Sequence, residues 1–260
     1  MKRLELIKVE HQIKVGDVCG DYEPNITEDC IFYEGGEAVG FYISKMSEDM
    51  IKLADIANAE FRSKRVNKSA MNRTSGERLQ KDGTKAPRVS QYSTILGSTP
   101  PRPHMRRPYP SISSIHSNPE SQTFIRAMLM LAQESEELIR TILPEQFYRQ
   151  SKLFESVPDE WKFGRLFTSS ISNYNISAPF HRDTGNIVGA VNVIITKRLN
   201  ADGGNLHIPD YGATMDSRNN SILVYPAWKN IHGVTPIKAK ATGGYRNSLI
   251  FYPLKAFTKI

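Results

Sequence analysis

The apolar period of this chain changes at about Gly164, and nothing else in the sequence limits the fold as strongly. Before that point lie two helical patterns; after it come short β-rich runs at 165–171, 187–196, 206–208, 222–225 and 249–252. Gly203-Gly204, Asp210-Tyr211-Gly212 and Gly243-Gly244 punctuate the runs as turns. In the first helical pattern Ser47 can cap, Glu48 and Asp49 suit the first turn, and Met50, Leu53, Ala54, Ala57 and Phe61 share a face. The second is expected to start at Asn118-Pro119 and to bury Phe124, Met128, Leu131, Leu138 and Ile142. Helices followed by strands predict an α+β layout, with the helices buttressing a sandwich or jelly roll. No internal repeat interrupts it, and 260 residues suffice for one substantial domain or at most two small ones.

Charge divides the chain differently. There are 34 Lys and Arg against 27 Asp and Glu, for a net charge of +7, which favours an anionic partner. Between Arg62 and Pro110 stand twelve basic residues, among them Arg102, Arg106 and Arg107, and two acids, Glu77 and Asp82. The other residues are therefore slightly acidic. Segment 62–110 is also rich in Ser, Asn, Gly and Pro, so it reads as a long loop that is either a solvated linker or a nucleic-acid contact. Two cysteines, Cys19 and Cys30, are too few for a disulfide framework, and the longest apolar run, 222–228, is far short of a membrane span. A cytoplasmic location is the simplest expectation.

Chemistry is written in the β-rich half. His181 and Asp183, one residue apart on an expected strand, project from the same face and can bind one metal ion together. With six histidines in the chain a His-x-Asp carries little weight alone. His232 follows the run at 222–225 and can complete a two-histidine, one-carboxylate set, which leaves three coordination positions open and suits Fe(II) with a chelating co-substrate and O2. Arg246 and Ser248 then share a face of the last strand, where a guanidinium fork and a hydroxyl can hold the distal carboxylate of 2-oxoglutarate. Taken singly, His232 reads equally well as a satisfied core histidine and Arg246 as a surface pair; the set together favours the metal.

Residues 173–255 resemble the TET/JBP group of Fe(II)- and 2-oxoglutarate-dependent dioxygenases, especially its small bacterial and bacteriophage members. The similarity is carried by His181-Arg182-Asp183-Thr184-Gly185-Asn186, Leu206-His207-Ile208-Pro209, Ile231-His232-Gly233-Val234-Thr235-Pro236 and Arg246-Asn247-Ser248-Leu249-Ile250-Phe251-Tyr252. The resemblance implies a double-stranded β-helix, iron held by His181, Asp183 and His232, and hydroxylation of a pyrimidine 5-methyl group in DNA. It also implies that Asn186 and Tyr252 hold the base, by hydrogen bond and by stacking. Leu254 stands where the animal enzymes place a base-contacting histidine, so 5-methylcytosine and thymine remain open as targets. The cysteine-rich zinc region of those enzymes is absent, and segment 62–110, with Tyr92 and Tyr109 among its cations, is the expected grip on phosphate. The base must be flipped or single-stranded to reach the iron. One dioxygenase domain over 1–260 is expected, with 62–110 as an inserted basic arm and 164–256 as the catalytic β-core. The same chemistry on a free nucleotide, RNA or a protein side chain, and a non-catalytic DNA-binding jelly roll, are the alternatives.

Overall fold

In the computed structural model the described residues are 1–71 and 90–258, so Arg73, Arg78, Lys81, Lys85 and Arg88 of the basic segment lie outside them. The chain opens with β1 (Lys2–Glu5), β2 (Cys30–Glu34), β3 (Glu37–Ile43) and helix α1 (Glu48–Arg62). Then come β4 (Ser69–Ala70), β5 (Tyr92–Thr99), β6 (Ser111–Ile112) and helices α2 (Gln122–Ile142) and α3 (Pro144–Phe154). The strand-rich half holds β7 (Ser169–Tyr174), β8 (Ala178–His181), β9 (Asn192–Leu199), β10 (Ala201–Gly203), β11 (Leu206–Ile208) and β12 (Ala213–Met215). It ends with β13 (Ile222–Tyr225), β14 (His232–Val234), β15 (Ile237–Ala239) and β16 (Tyr245–Tyr252).

Among the described residues, beside the separate pair β10-β15, these strands make a ten-stranded sheet, ordered β1-β2-β3-β13-β9-β16-β7-β5-β4 with β6 beside β5, and a four-stranded sheet, β12-β11-β14-β8. The two face each other as a jelly roll. Alternation along the strands decides what each face meets. Val193, Ile195, Leu249 and Phe251 turn outward and pack with Ala54, Phe61, Phe124, Met128 and Leu131 of α1 and α2. Ile194, Leu223 and Tyr225 turn inward against Leu206, Ile208, Ala213 and Met215 of the small sheet. Burying each large outward side chain contributes about 1.5–3 kcal/mol, so the helix layer anchors the large sheet.

Helix α1 follows its sequence signals: Ser47 Oγ accepts the Met50 N–H at 3.3 Å, and Met50, Ala54, Ala57 and Phe61 are buried. Asn58, also buried, donates to Tyr245 Oη at 2.8 Å and accepts from Asn247 at 3.1 Å, which pins the helix to β16. Helix α2 starts later than Asn118-Pro119 suggests. Asn118 instead caps a single 3-10 turn, accepting the Glu120 N–H at 3.0 Å, and the α-helix begins at Gln122.

The large sheet also recruits strands that the apolar pattern hides. β5 pairs with β7 from Tyr92 to Gly97, so residues 92–99 of the supposed basic loop are a sheet strand, and Tyr92 lies half-buried against Tyr174. No Lys or Arg occurs in 92–99; the charge lies on either side of it. β3 pairs with β13, so the core is not confined to 164–256. Residues 165–168 form no strand because the buried Glu136 carboxylate accepts the N–H groups of Arg165 and Leu166 at 2.6 and 2.9 Å and holds a turn there. The run at 187–196 becomes strand only from Asn192, and the last strand reaches back to Tyr245. Among the described residues no helix is long and apolar enough to cross a membrane.

Candidate metal centre

β8 ends on His181 and β14 begins on His232, and the two are register partners. Their rings lie 4.4 Å apart, Asp183 Oδ1 is 3.5 Å from His181 Nε2, and the ligand atoms of all three residues lie within 4.8 Å of one another. Each imidazole is oriented by a carbonyl two residues upstream: His181 Nδ1 on Pro179 O at 2.8 Å, His232 Nδ1 on Asn230 O at 3.1 Å. A carbonyl only accepts, so both Nδ1 atoms carry a proton, and the neutral tautomer this selects has its lone pair on Nε2. Burial, and then the neighbouring His181, push the His232 imidazole below its ordinary range and so favour its neutral form. Tyr225 presses on its ring edge-on at 5.4 Å. Two imidazole nitrogens and a carboxylate oxygen on one side of a half-open site suit a divalent first-row metal with further positions free.

Along the inward face of β16 stand Arg246, Ser248, Ile250 and Tyr252. Arg246 is 2% exposed, and its Nη1 donates to Ser248 Oγ at 3.0 Å. Its Nε is buried and meets no hydrogen-bond partner among the described residues. Its register partner on β9 is another cation, Arg198, which is itself tied to Asp216 at 3.4 Å. Burial and this like charge push the Arg246 guanidinium down to about 10. A buried cation with an open N–H is stable only if an anion meets it, so the spot fits a carboxylate. The chain beside it bends through Gly204 at φ +69°, where a Cβ would lie 3.2 Å from Arg246 Nε.

The expected base contacts fall differently. Asn186 is buried, and its Nδ2 donates to Asn192 Oδ1 at 2.8 Å; Asn192 Nδ2 donates in turn to Asp183 Oδ2 at 3.0 Å. Tyr252 is half-buried, and burial together with the Asp183 charge pushes its phenol above the usual range, opposed by Arg102. Arg102, half-buried, starts the turn that carries the other two cations of its loop. Arg106, at φ +57°, and Arg107 are exposed on a turn closed by Arg102 N–H to Arg107 O at 2.6 Å. Leu254 bridges to the Asn186 backbone, setting an apolar side chain next to that amide. His207 lies on the outer face of the small sheet, bonded to Thr214 Oγ1 at 2.8 Å and stacked on Tyr22 at 3.8 Å, in keeping with a structural role.

Sequence reasoning missed Asn192, Arg198 and the Pro179 and Asn230 carbonyls. Asn192 leaves a trace, a lone amide inside the apolar run Val191 to Ile195, whereas a backbone carbonyl leaves none.

No protein of curated function matches the sequence. NgTET1, solved in complex with 5mC DNA, is similar in structure, with a TM-score of 0.61 at 13% identity over 97% of this chain and 85% of that one. A 2OG-Fe(II) oxygenase family oxidoreductase from Burkholderia pseudomallei gives 0.44 at 13% identity over 82% of each chain, and OsALKBH1 gives 0.42 at 14% over 82% and 97%. Residues 101–255, more than half of the sequence, match the model of Tet_JBP, the oxygenase domain of the 2OGFeDO superfamily. The chain therefore belongs to the Tet_JBP family and is a 2-oxoglutarate-dependent dioxygenase.

Proposed function

We propose that the protein hydroxylates the 5-methyl group of a pyrimidine, 5-methylcytosine or thymine, in DNA. One observation carries this reading: the three ligand atoms of His181, Asp183 and His232 converge in a half-open site joined through Asn192 to Asn186, with Arg246 Nε, partnerless among the described residues, on the same sheet face as Tyr252. His181 Nε2, Asp183 Oδ1 and His232 Nε2 would hold Fe(II), and Arg246 with Ser248 would hold the distal carboxylate of 2-oxoglutarate. Bound Fe(II), with 2-oxoglutarate and O2, supplies the oxidising power: the co-substrate loses CO2 to give succinate as one oxygen atom enters the methyl group.

The protein's own groups do the positioning. Asn186 offers its amide to the edge of the base and Tyr252 its ring to the face, and a duplex base must leave the stack to reach them. Arg102, Arg106 and Arg107 grip phosphate on the approach, a sequence-independent contribution that salt weakens. The fold shared with NgTET1, a structure that holds 5mC DNA, supports a polymer substrate.

The test supplies Fe(II), ascorbate and 2-oxoglutarate with DNA that carries either 5-methylcytosine or only unmodified bases, followed by mass spectrometry of the nucleosides. A 5-hydroxymethyl pyrimidine formed together with succinate is the expected result. Turnover of free nucleotides without polymer would move the substrate assignment, and succinate without any oxidised base would remove it.

A further inference from the structure

We propose that Asn192 is a positioning residue that ties the metal-binding carboxylate of Asp183 to the base-facing amide of Asn186. The inference rests on the metal reading above and adds a residue that no motif supplies. Asn192 begins β9, is 3% exposed, and is held between β13 and β16 opposite Tyr225. Its amide bridges the two polar groups, at 3.0 Å to Asp183 Oδ2 and 2.8 Å from Asn186 Nδ2.

The direction of every bond in this chain follows from chemistry at one end. An ionised carboxylate only accepts, so Asn192 must turn its NH2 toward Asp183. Its carbonyl then faces Asn186 and must receive an N–H, which sets Nδ2 of Asn186 toward the sheet and leaves Oδ1 and one N–H for another partner. Reversing either amide would set two acceptors or two donors against each other in a buried place, where an unmade bond costs the full desolvation of the group.

Two consequences follow. Asp183 Oδ2 carries the Asn192 hydrogen bond, which fixes the carboxylate with Oδ1 turned toward His181 Nε2, 3.5 Å away, as the oxygen placed for a metal ion. Asn186, moreover, cannot reverse its amide without losing the bond to Asn192, so its Oδ1 and its second N–H keep fixed places for a substrate edge. Metal ligand and base contact are thereby parts of one rigid unit.

Metal affinity of the full chain tests the inference without needing turnover. Mn(II) stands in for Fe(II), and free Mn(II) is counted by its electron paramagnetic resonance signal while far-ultraviolet circular dichroism and melting without metal report the fold. Asn192→Leu removes both bonds at similar volume; Asn192→Ala does so without risk of overpacking. Ten- to hundredfold weaker Mn(II) binding in a variant that keeps the wild-type spectrum is expected, the usual loss when the partner of a ligand is removed. Wild-type affinity in either folded variant would overturn the positioning role. A wild type that binds no Mn(II) would overturn the metal reading itself and the inference with it.

Discussion

The two faces of the large sheet use the same strands for opposite ends. On β9 and β16 the outward residues Val193, Ile195, Leu249 and Phe251 are fully buried hydrocarbon under the helices. The inward ones, one step along the same backbone, include Asn192, Arg246, Ser248 and the half-buried Tyr252. The pleat sends neighbours to opposite sides, so one face can hold the fold together while the other carries buried polar groups that lower stability. The small sheet repeats the contrast with two histidines. His232 faces the barrel interior with its Nε2 free to bind, whereas His207, whose register partner is Gly233 next along β14, faces outward and is satisfied by Thr214 and Tyr22.

Breaking the outward face is expected to give the largest effect. Phe251→Ala should cost about 3–5 kcal/mol of stability in urea unfolding while Mn(II) affinity stays at the wild-type value. A parallel loss of metal affinity would show that the faces are not independent. Arg246→Met works in the other direction. Removing a buried cation with no acid partner should leave the melting temperature unchanged or raise it, yet the KM for 2-oxoglutarate should rise by about 100-fold, the loss expected for a desolvated charge pair. A fall in stability with an unchanged KM would place the anion elsewhere.

The smallest effect concerns His207. Burial pushes its pKa from 6.5 down to about 4 in the folded protein, with the nearby His11 acting in the same direction. As pH falls the unfolded chain takes up the proton first, so stability is fully present above 6.5 and is lost progressively between there and about 4. That loss amounts to at most about 3 kcal/mol, and solvent screening of a partly buried ring lowers it. His207→Gln should flatten this limb of a stability-against-pH curve without shifting Mn(II) affinity at neutral pH; an unchanged slope would assign the acid sensitivity to other groups.

Much of the site was legible because its residues are local in sequence or alternate on one strand. His181 and Asp183 share a face by spacing alone, as do Arg246 and Ser248. Leu206–Ile208 and Ile222–Tyr225 were readable as strands from their composition and turn flanks. What escaped was non-local. β5 sits in a stretch surrounded by cations and shows itself as a strand only through its pairing with β7. Asn192 is an unremarkable amide until the fold carries it to Asp183. The described residues of the basic segment, read as one arm, include a helix end at Arg62, the sheet strands β4 and β5, and the exposed turn of Arg106 and Arg107.

By itself the sequence determined the helix-then-strand layout and marked out a candidate triad and a candidate carboxylate-binding pair, since periodicity and residue chemistry are properties of short segments. Only the tertiary structure decided which nitrogen each histidine offers, which oxygen Asp183 keeps free, and that Arg246 is a cation without an acid. Those properties depend on what stands opposite a side chain, and opposition is set by strand register and sheet packing between residues far apart in the chain.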